Sequence, residues 1–75
     1  MNIDNSACLR DFGNFIKEAR NGQGLFQADV AGRIGITQSY YSQIEAGIKN
    51  VDLVLAMKIC QVLKVDLSDY IHNYL

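Results

Sequence analysis

The stretch that decides the fold runs Gln27-Ala-Asp-Val-Ala-Gly-Arg-Ile-Gly-Ile-Thr-Gln-Ser-Tyr-Tyr-Ser-Gln-Ile-Glu-Ala-Gly47. Two short helices that cross at a steep angle need a small residue at the crossing, which Ala31 supplies. They also need a residue that tolerates positive φ at the start of the turn and an apolar residue to plug the core, and Gly35 and Ile36 meet these needs. The spacing therefore predicts a helix-turn-helix over about 27–46.

The apolar spacing outside this stretch predicts three further helices. A first helix ends at Gly22 and Gly24, and its apolar face is formed by Leu9, Phe12, Ile16 and Ala19. Asp52 can cap a fourth helix to about Leu63, whose apolar residues cover more than one face, as is typical of a buried central helix. Asp66 can cap a final helix through Tyr74. The expected fold class is all-α, a compact five-helix bundle forming one domain over 1–75 with a core at about 9–74.

Composition limits the function classes. Apolar residues make up 49% and charged residues 20% of the chain, which contains no proline. These values exclude a disordered tail. The start of the chain has no basic and apolar leader, and no stretch approaches the roughly 18 apolar residues of a membrane span, so we expect a soluble cytoplasmic protein. Cys8, Cys60 and His72 do not match the spacing of a metal site or a catalytic cluster. We expect no enzymatic activity, metal, cofactor or small-molecule ligand.

Several short motifs occur in a characteristic order. They are Arg20, Gly24-Leu25-Phe26-Gln27, Val30-Ala31, Gly35-Ile36-Thr37, Tyr41-Ser42-Gln43-Ile44-Glu45-Ala46-Gly47 and Ile59-Cys60-Gln61-Val62-Leu63. Together they resemble the lambda-repressor-like family, the Xre and Cro type of bacterial and phage regulators. The resemblance covers roughly residues 12–72. It implies a DNA-binding domain with the helix-turn-helix at helices 2 and 3.

The resemblance also assigns base-reading residues. In that family the third helix lies in the major groove of double-stranded DNA and presents its N-terminal residues to base edges. The matching readers are Gln38, Ser39, Ser42 and Gln43, and Thr37 can touch a thymine methyl group. A glutamine amide suits this role because it donates and accepts together, which matches the N6 and N7 edge of adenine.

Other positions are expected to contact the DNA backbone. The resemblance places Gln27 where a glutamine at the start of helix 2 bonds a phosphate. Tyr40, Lys49 and Asn50 are further candidate backbone contacts. Such contacts position a protein without reading sequence.

Arg20 and Glu45 match a semi-buried ion pair that ties helix 1 to the recognition helix. We prefer this structural role to acid–base catalysis because neither a histidine nor a nucleophile is expected beside the pair.

Four positions depart from the family pattern. Phe26 stands where Ser or Thr is preferred, and Ile48 stands where a basic residue is common. Val51 replaces a common proline, and Lys64 replaces a common glycine at the end of helix 4.

The net charge of −1 and the pI of about 5.6 argue against a nucleic-acid binder, because phosphate neutralisation normally drives affinity. Within residues 26–50, the positive charges of Arg33 and Lys49 equal in number the negative charges of Asp29 and Glu45. If Arg20 neutralises Glu45, the DNA-facing surface becomes mildly positive.

A single recognition helix covers few base pairs, which favours a homodimer on a palindromic operator with half-sites about 34 Å apart. Tyr70, Tyr74 and Leu75 are candidate dimer contacts. We expect a transcriptional regulator, a repressor or controller protein of a phage, plasmid, mobile element or restriction-modification system. The alternatives are an antitoxin that binds its own operator and a protein-interaction module that has lost DNA binding.

Overall fold

Five α-helices and one 3₁₀ turn form the secondary structure of residues 3–75, the part of the chain that the computed structural model describes. The helices are α1 (Asn5–Gly22), α2 (Gln27–Ile34), α3 (Gln38–Glu45), α4 (Leu53–Leu63) and α5 (Leu67–Ile71), and the 3₁₀ turn is His72–Tyr74. The described residues contain no strand, so the predicted all-α fold with five helices is confirmed. No helix within them is both long and apolar enough to span a membrane.

Polar side chains begin four of the five helices. Thr37 Oγ1 accepts a hydrogen bond from the Tyr40 amide at 3.0 Å, and Asp52 and Asp66 cap α4 and α5 in the same manner. Asp4 caps α1, so this helix begins four residues before position 9, where we expected the core to start. These caps satisfy amide donors that the first turn of a helix leaves unpaired.

Left-handed residues end α2 and α4. Gly35 has φ 77°, as predicted for the start of the helix-turn-helix turn. Lys64 adopts φ 57° at the end of α4, a conformation that favours glycine over residues with a Cβ. The side-chain Nε2 of Gln23 donates to the backbone carbonyl oxygen of Leu63 at 2.5 Å, and so satisfies a carbonyl in the last turn of α4. The chain after Ile71 tightens into the 3₁₀ turn rather than extending α5 to Tyr74.

The core lies where α1, α2, α3 and α4 meet. Its largest fully buried side chains are Tyr41, Ile16, Ile44, Ile59, Leu63 and Val30. Ala31 is also buried, as the steep crossing of α2 and α3 requires. The helix-turn-helix is thus held in place by apolar side chains from both neighbouring helices.

Helix α4 is less buried than its sequence predicts. Ala56, Ile59 and Cys60 face the core, but Leu53, Val54 and Met57 are 65, 61 and 55% exposed. The expectation of a central, buried helix was therefore wrong for the outward side of α4. An apolar face on its first two turns lies open to solvent.

Two glycines let α1 approach the C-terminal end of α3. A Cβ on Gly13 would lie 2.8 Å from the carbonyl oxygen of Ile44 and nearer still to that of Glu45. A Cβ on Gly47 would lie 2.9 Å from the Cα of Arg10. These contacts leave no room for a methyl group at either position, so they fix the distance between α1 and the end of α3.

Gly13→Ala should destabilise the protein by about 3 kcal/mol or more, because the new methyl group meets backbone atoms that cannot rotate away. Chemical denaturation measures this loss in free energy of unfolding. The matched control is Gly32→Ala in α2, where a Cβ meets nothing within 4 Å. This change should instead stabilise by about 0.5–1 kcal/mol through lower chain entropy in the unfolded state. Equal effects at both positions would contradict the close approach at Gly13.

Candidate nucleic-acid interface

Helix α3 presents a polar face to solvent. Tyr41 and Ile44 are buried, which fixes the rotation of the helix about its axis. Gln38 and Ser39 are therefore exposed at its N-terminal end. Ser42 and Gln43 are half-buried one turn later, next to the first two on the same side, since residues four apart are neighbours on a helix surface. The structure brings the predicted base-reading residues of α3 together on one surface.

A buried ion pair joins this helix to α1. Arg20 Nε lies 2.7 Å from Glu45 Oε2, and Arg20 Nη2 donates to Glu45 Oε1 at 2.9 Å. Arg20 Nη1 also donates to the Leu25 carbonyl oxygen at 2.8 Å. The two residues are only 8 and 6% exposed. The arginine thus holds α1, the segment before α2 and the end of α3 in one arrangement, in the structural role that the sequence predicted.

Both members of the pair stay charged. Burial alone raises the pKa of Glu45, but the hydrogen bonds from Arg20 and Gln27 contribute to a net lowering of that pKa. The pKa of Arg20 is raised, chiefly by its hydrogen bond to Glu45. Burial raises the pKa of the neighbouring Tyr41 phenol well above its ordinary value, so this side chain stays neutral. The negative charge of Glu45 is therefore matched inside the protein.

Gln27 is partly engaged by the same carboxylate. Its Nε2 donates to Glu45 Oε1 at 3.1 Å, and the residue is half-buried. An amide nitrogen carries two donors, so its second N–H is not used by Glu45. The hydrogen bond places this remaining donor at the junction of α2 and α3.

The start of α2 is capped by an unexpected residue. Phe26 occupies the N-cap position, and its phenyl ring makes no hydrogen bond to the amides of the first turn. Asp29 Oδ2 instead accepts from the Phe26 amide at 2.7 Å, which is half of a capping box. This bond secures the helix, but it also places a carboxylate at the helix end that would otherwise attract phosphate.

Three predicted contacts to the DNA backbone are exposed, namely Tyr40 in α3 and Lys49 and Asn50 after it. Lys49 Nζ lies 5.6 Å from the centroid of the Tyr40 ring, within the range of a cation–π interaction. Asn50 is exposed beside Lys49 in the chain. The structure therefore brings Tyr40 and Lys49 together on an exposed surface.

Two of the three predicted dimer contacts point into their own chain. Tyr70 is buried, and its hydroxyl donates to the Cys8 carbonyl oxygen at 2.8 Å. The Tyr74 hydroxyl donates to the Asp11 carboxylate. Both rings dock the C-terminal segment onto α1. Leu75, at 84% exposure, is the one of the three that remains open.

Sequence reasoning missed Gly13 and the capping role of Asp29. A glycine inside an amphipathic helix is itself a signal of close packing, and an acidic residue three places after a helix start is a signal of a capping box. Neither signal, however, identifies the group that is contacted, which is the backbone of α3 for Gly13 and the Phe26 amide for Asp29. No group of three His, Cys, Asp or Glu side chains within residues 3–75 could hold a metal ion.

Comparisons with known proteins agree with this geometry. The helix-turn-helix family matches residues 16–70 of the chain. The chain therefore belongs to the lambda-repressor-like helix-turn-helix family, and it is a DNA-binding transcriptional regulator. It is similar to Control protein C.MunI of Mycoplasma sp, with 41% identity over 59 residues that cover 77% of this chain and 80% of that protein.

Replacing Glu45 with glutamine should cost about 3–5 kcal/mol of stability at pH 7, since the charge of Arg20 is then left unmatched inside the protein. The lowered pKa of Glu45 adds a pH dependence to this effect. The ionised Glu45 carboxylate contributes fully to the free energy of unfolding above about pH 4.5, the ordinary pKa of a glutamate. This contribution is lost as the pH falls through the lower pKa that Glu45 has in the folded protein. Denaturation across this acid range should show a shallower decline for Glu45→Gln than for the wild type.

The matched control for this charge change is Glu18→Gln, at an exposed position on α1. A surface carboxylate contributes about 1 kcal/mol or less. Parallel acid declines of the wild type and Glu45→Gln would contradict the role assigned to the pair.

Proposed function

We propose that α3 enters the major groove and reads operator bases through Gln38, Ser39, Ser42 and Gln43, together with Thr37 at its start. The observation that carries this proposal is the fixed orientation of α3. Burial of Tyr41 and Ile44 turns the polar face outward, and the ion pair at its end prevents rotation. A polar face on a rigid helix of eight residues suits the width of the groove.

The chemistry of this face favours adenine and thymine. The amides of Gln38 and Gln43 can donate to N7 and accept from N6 of an adenine. The hydroxyls of Ser39 and Ser42 can pair with either a donor or an acceptor on a base edge. Thr37 uses its oxygen to accept from the Tyr40 amide, which leaves its methyl group for contact with a thymine.

Backbone contacts would fix the register of α3. The second N–H of Gln27 and the side chains of Tyr40, Lys49 and Asn50 are candidates for bonds to phosphate oxygens. Tyr40 beneath the Lys49 ammonium restricts where that charge can move. This restriction would direct the charge toward one phosphate.

The regulated genes are inferred from the relative. Because the chain is similar to a control protein, we assign it to the control of restriction-modification genes rather than to a phage or plasmid repressor. In this role it acts by binding in the cytoplasm, where the genome lies, and not by catalysis.

A second copy would complete the operator contact. One α3 reaches only a few base pairs, so a twofold dimer on a palindromic site would double the contacts. Leu53, Val54 and Met57 on α4 offer an apolar face for this dimer, and Leu53 and Ile71 line one groove beside it. A self-complementary face of this kind is typical of a twofold interface. Leu75, which is 84% exposed, is a further apolar side chain that would join this interface.

Gln38→Ala and Gln43→Ala should each weaken operator binding by about 1–3 kcal/mol while leaving binding to unrelated DNA unchanged, because each removes a bond to a base edge. Fluorescence anisotropy on both DNAs measures this difference. Lys49→Ala is the matched control and should weaken binding to both DNAs alike, since a phosphate contact is independent of sequence. Equal losses on both DNAs for the glutamine variants would assign these residues to the backbone instead.

Val54→Asp and Met57→Asp should each raise the dimer dissociation constant by about tenfold or more, because a charge would be buried in the apolar interface. Sedimentation measured over a range of protein concentrations tests this expectation. The control Ile3→Asp adds the same charge at another exposed apolar position. A wild-type protein that stays monomeric at high micromolar concentration would contradict the dimer.

A further inference from the structure

Two large apolar side chains stand out from the helix-turn-helix. Phe26 is 75% exposed and Ile48 is 73% exposed. Phe26 directly precedes α2, and Ile48 follows α3 by three residues. The hydrogen bond from Gln27 to Glu45 brings the start of α2 against the end of α3. Both apolar side chains therefore lie at the same end of the motif.

The fold does not require the phenyl ring of Phe26. The ring cannot cap α2, and the Asp29 carboxylate secures the helix start in its place. A serine at this position would offer a side-chain oxygen to the first-turn amides, which a ring does not. Leaving a large apolar surface in water brings no gain in stability. The exposed ring is therefore available for contact with a partner outside the chain.

Electrostatic attraction at this surface is weak. Within residues 26–50, Glu45 is matched by Arg20, which leaves Arg33 and Lys49 against Asp29. The Asp29 carboxylate lies at the start of α2, where it opposes a phosphate. Binding of DNA here needs a favourable contribution other than charge.

We propose that Phe26 and Ile48 pack against deoxyribose carbons of the DNA backbone beside the groove that α3 enters. This inference rests on the proposed function of α3. The first helix of a helix-turn-helix crosses the DNA backbone, which brings the start of α2 to the sugars. Sugar edges are apolar and occur in every sequence. The two side chains therefore add affinity on any DNA and replace part of the missing phosphate attraction.

This contact has a distinct salt signature. Each neutralised phosphate releases a counterion and adds about 0.9 to the slope of log affinity against log salt. If Arg33 and Lys49 each neutralise one phosphate on both copies, the dimer has a slope of about −3.6, and a smaller number of engaged cations gives a shallower slope. An apolar contact releases no counterion. Its removal lowers affinity but leaves the slope unchanged.

The experiment compares Phe26→Ser and Ile48→Ser with the wild type by fluorescence anisotropy on operator and unrelated DNA, at salt concentrations of about 50–200 mM. Each variant should bind both DNAs about five- to tenfold more weakly, with an unchanged salt slope. Phe26→Leu should stay within about twofold of the wild type because it keeps an apolar side chain. The control Ile3→Ser removes an exposed apolar side chain elsewhere and should have no effect.

Thermal unfolding of the same variants separates folding from binding, and Phe26→Ser should unfold no earlier than the wild type because serine caps helices well. Unchanged or tighter DNA binding by both serine variants, or a changed slope, would overturn the sugar contact while leaving base reading by α3 intact. Failure of the wild type to bind any DNA would overturn both proposals.

Discussion

The bidentate contact between Arg20 and Glu45 is the interaction on which the rest of the structure depends. It lies inside the protein, where an unmatched charge is costly. Nε and Nη2 of Arg20 donate to Glu45, and Nη1 donates to the Leu25 carbonyl oxygen. Glu45 is the last residue of α3 and Arg20 lies in the last turn of α1, so the pair sets the angle between these helices. Gly13 sets their distance, since its lack of a side chain lets the backbones touch.

The surface that results combines an ordered polar face with little charge. In the proposed complex, the amides and hydroxyls of α3 would supply directional bonds, whereas the exposed side chains of Phe26 and Ile48 would supply apolar area at the margin. The net charge of −1 is therefore a poor guide to this surface, because Glu45 is matched internally. The proposed site would therefore depend more on the fit of its shape than on long-range attraction.

The second open surface of the molecule lies on α4. The inward side of this helix completes the core under α2, and its outward side carries Leu53, Val54 and Met57. One helix thus supports the DNA-reading unit and offers an apolar face to a neighbour. Docking of Tyr70 and Tyr74 onto α1 keeps the C-terminal segment close to the chain and leaves this face uncovered by it.

The sequence by itself determined the five helices, the turn at Gly35, the caps at Asp52 and Asp66, and the partners Arg20 and Glu45. These features follow from local backbone preferences or, for the pair, from the order of the family motifs. Only the tertiary structure decided that Gly13 meets the backbone of α3, that Gln27 bonds Glu45, that Tyr70 turns inward, and that one face of α4 stays open. Each of these depends on which elements meet in space. Helical periodicity predicts which side chains share a face of a helix, but it does not predict which other element packs against that face.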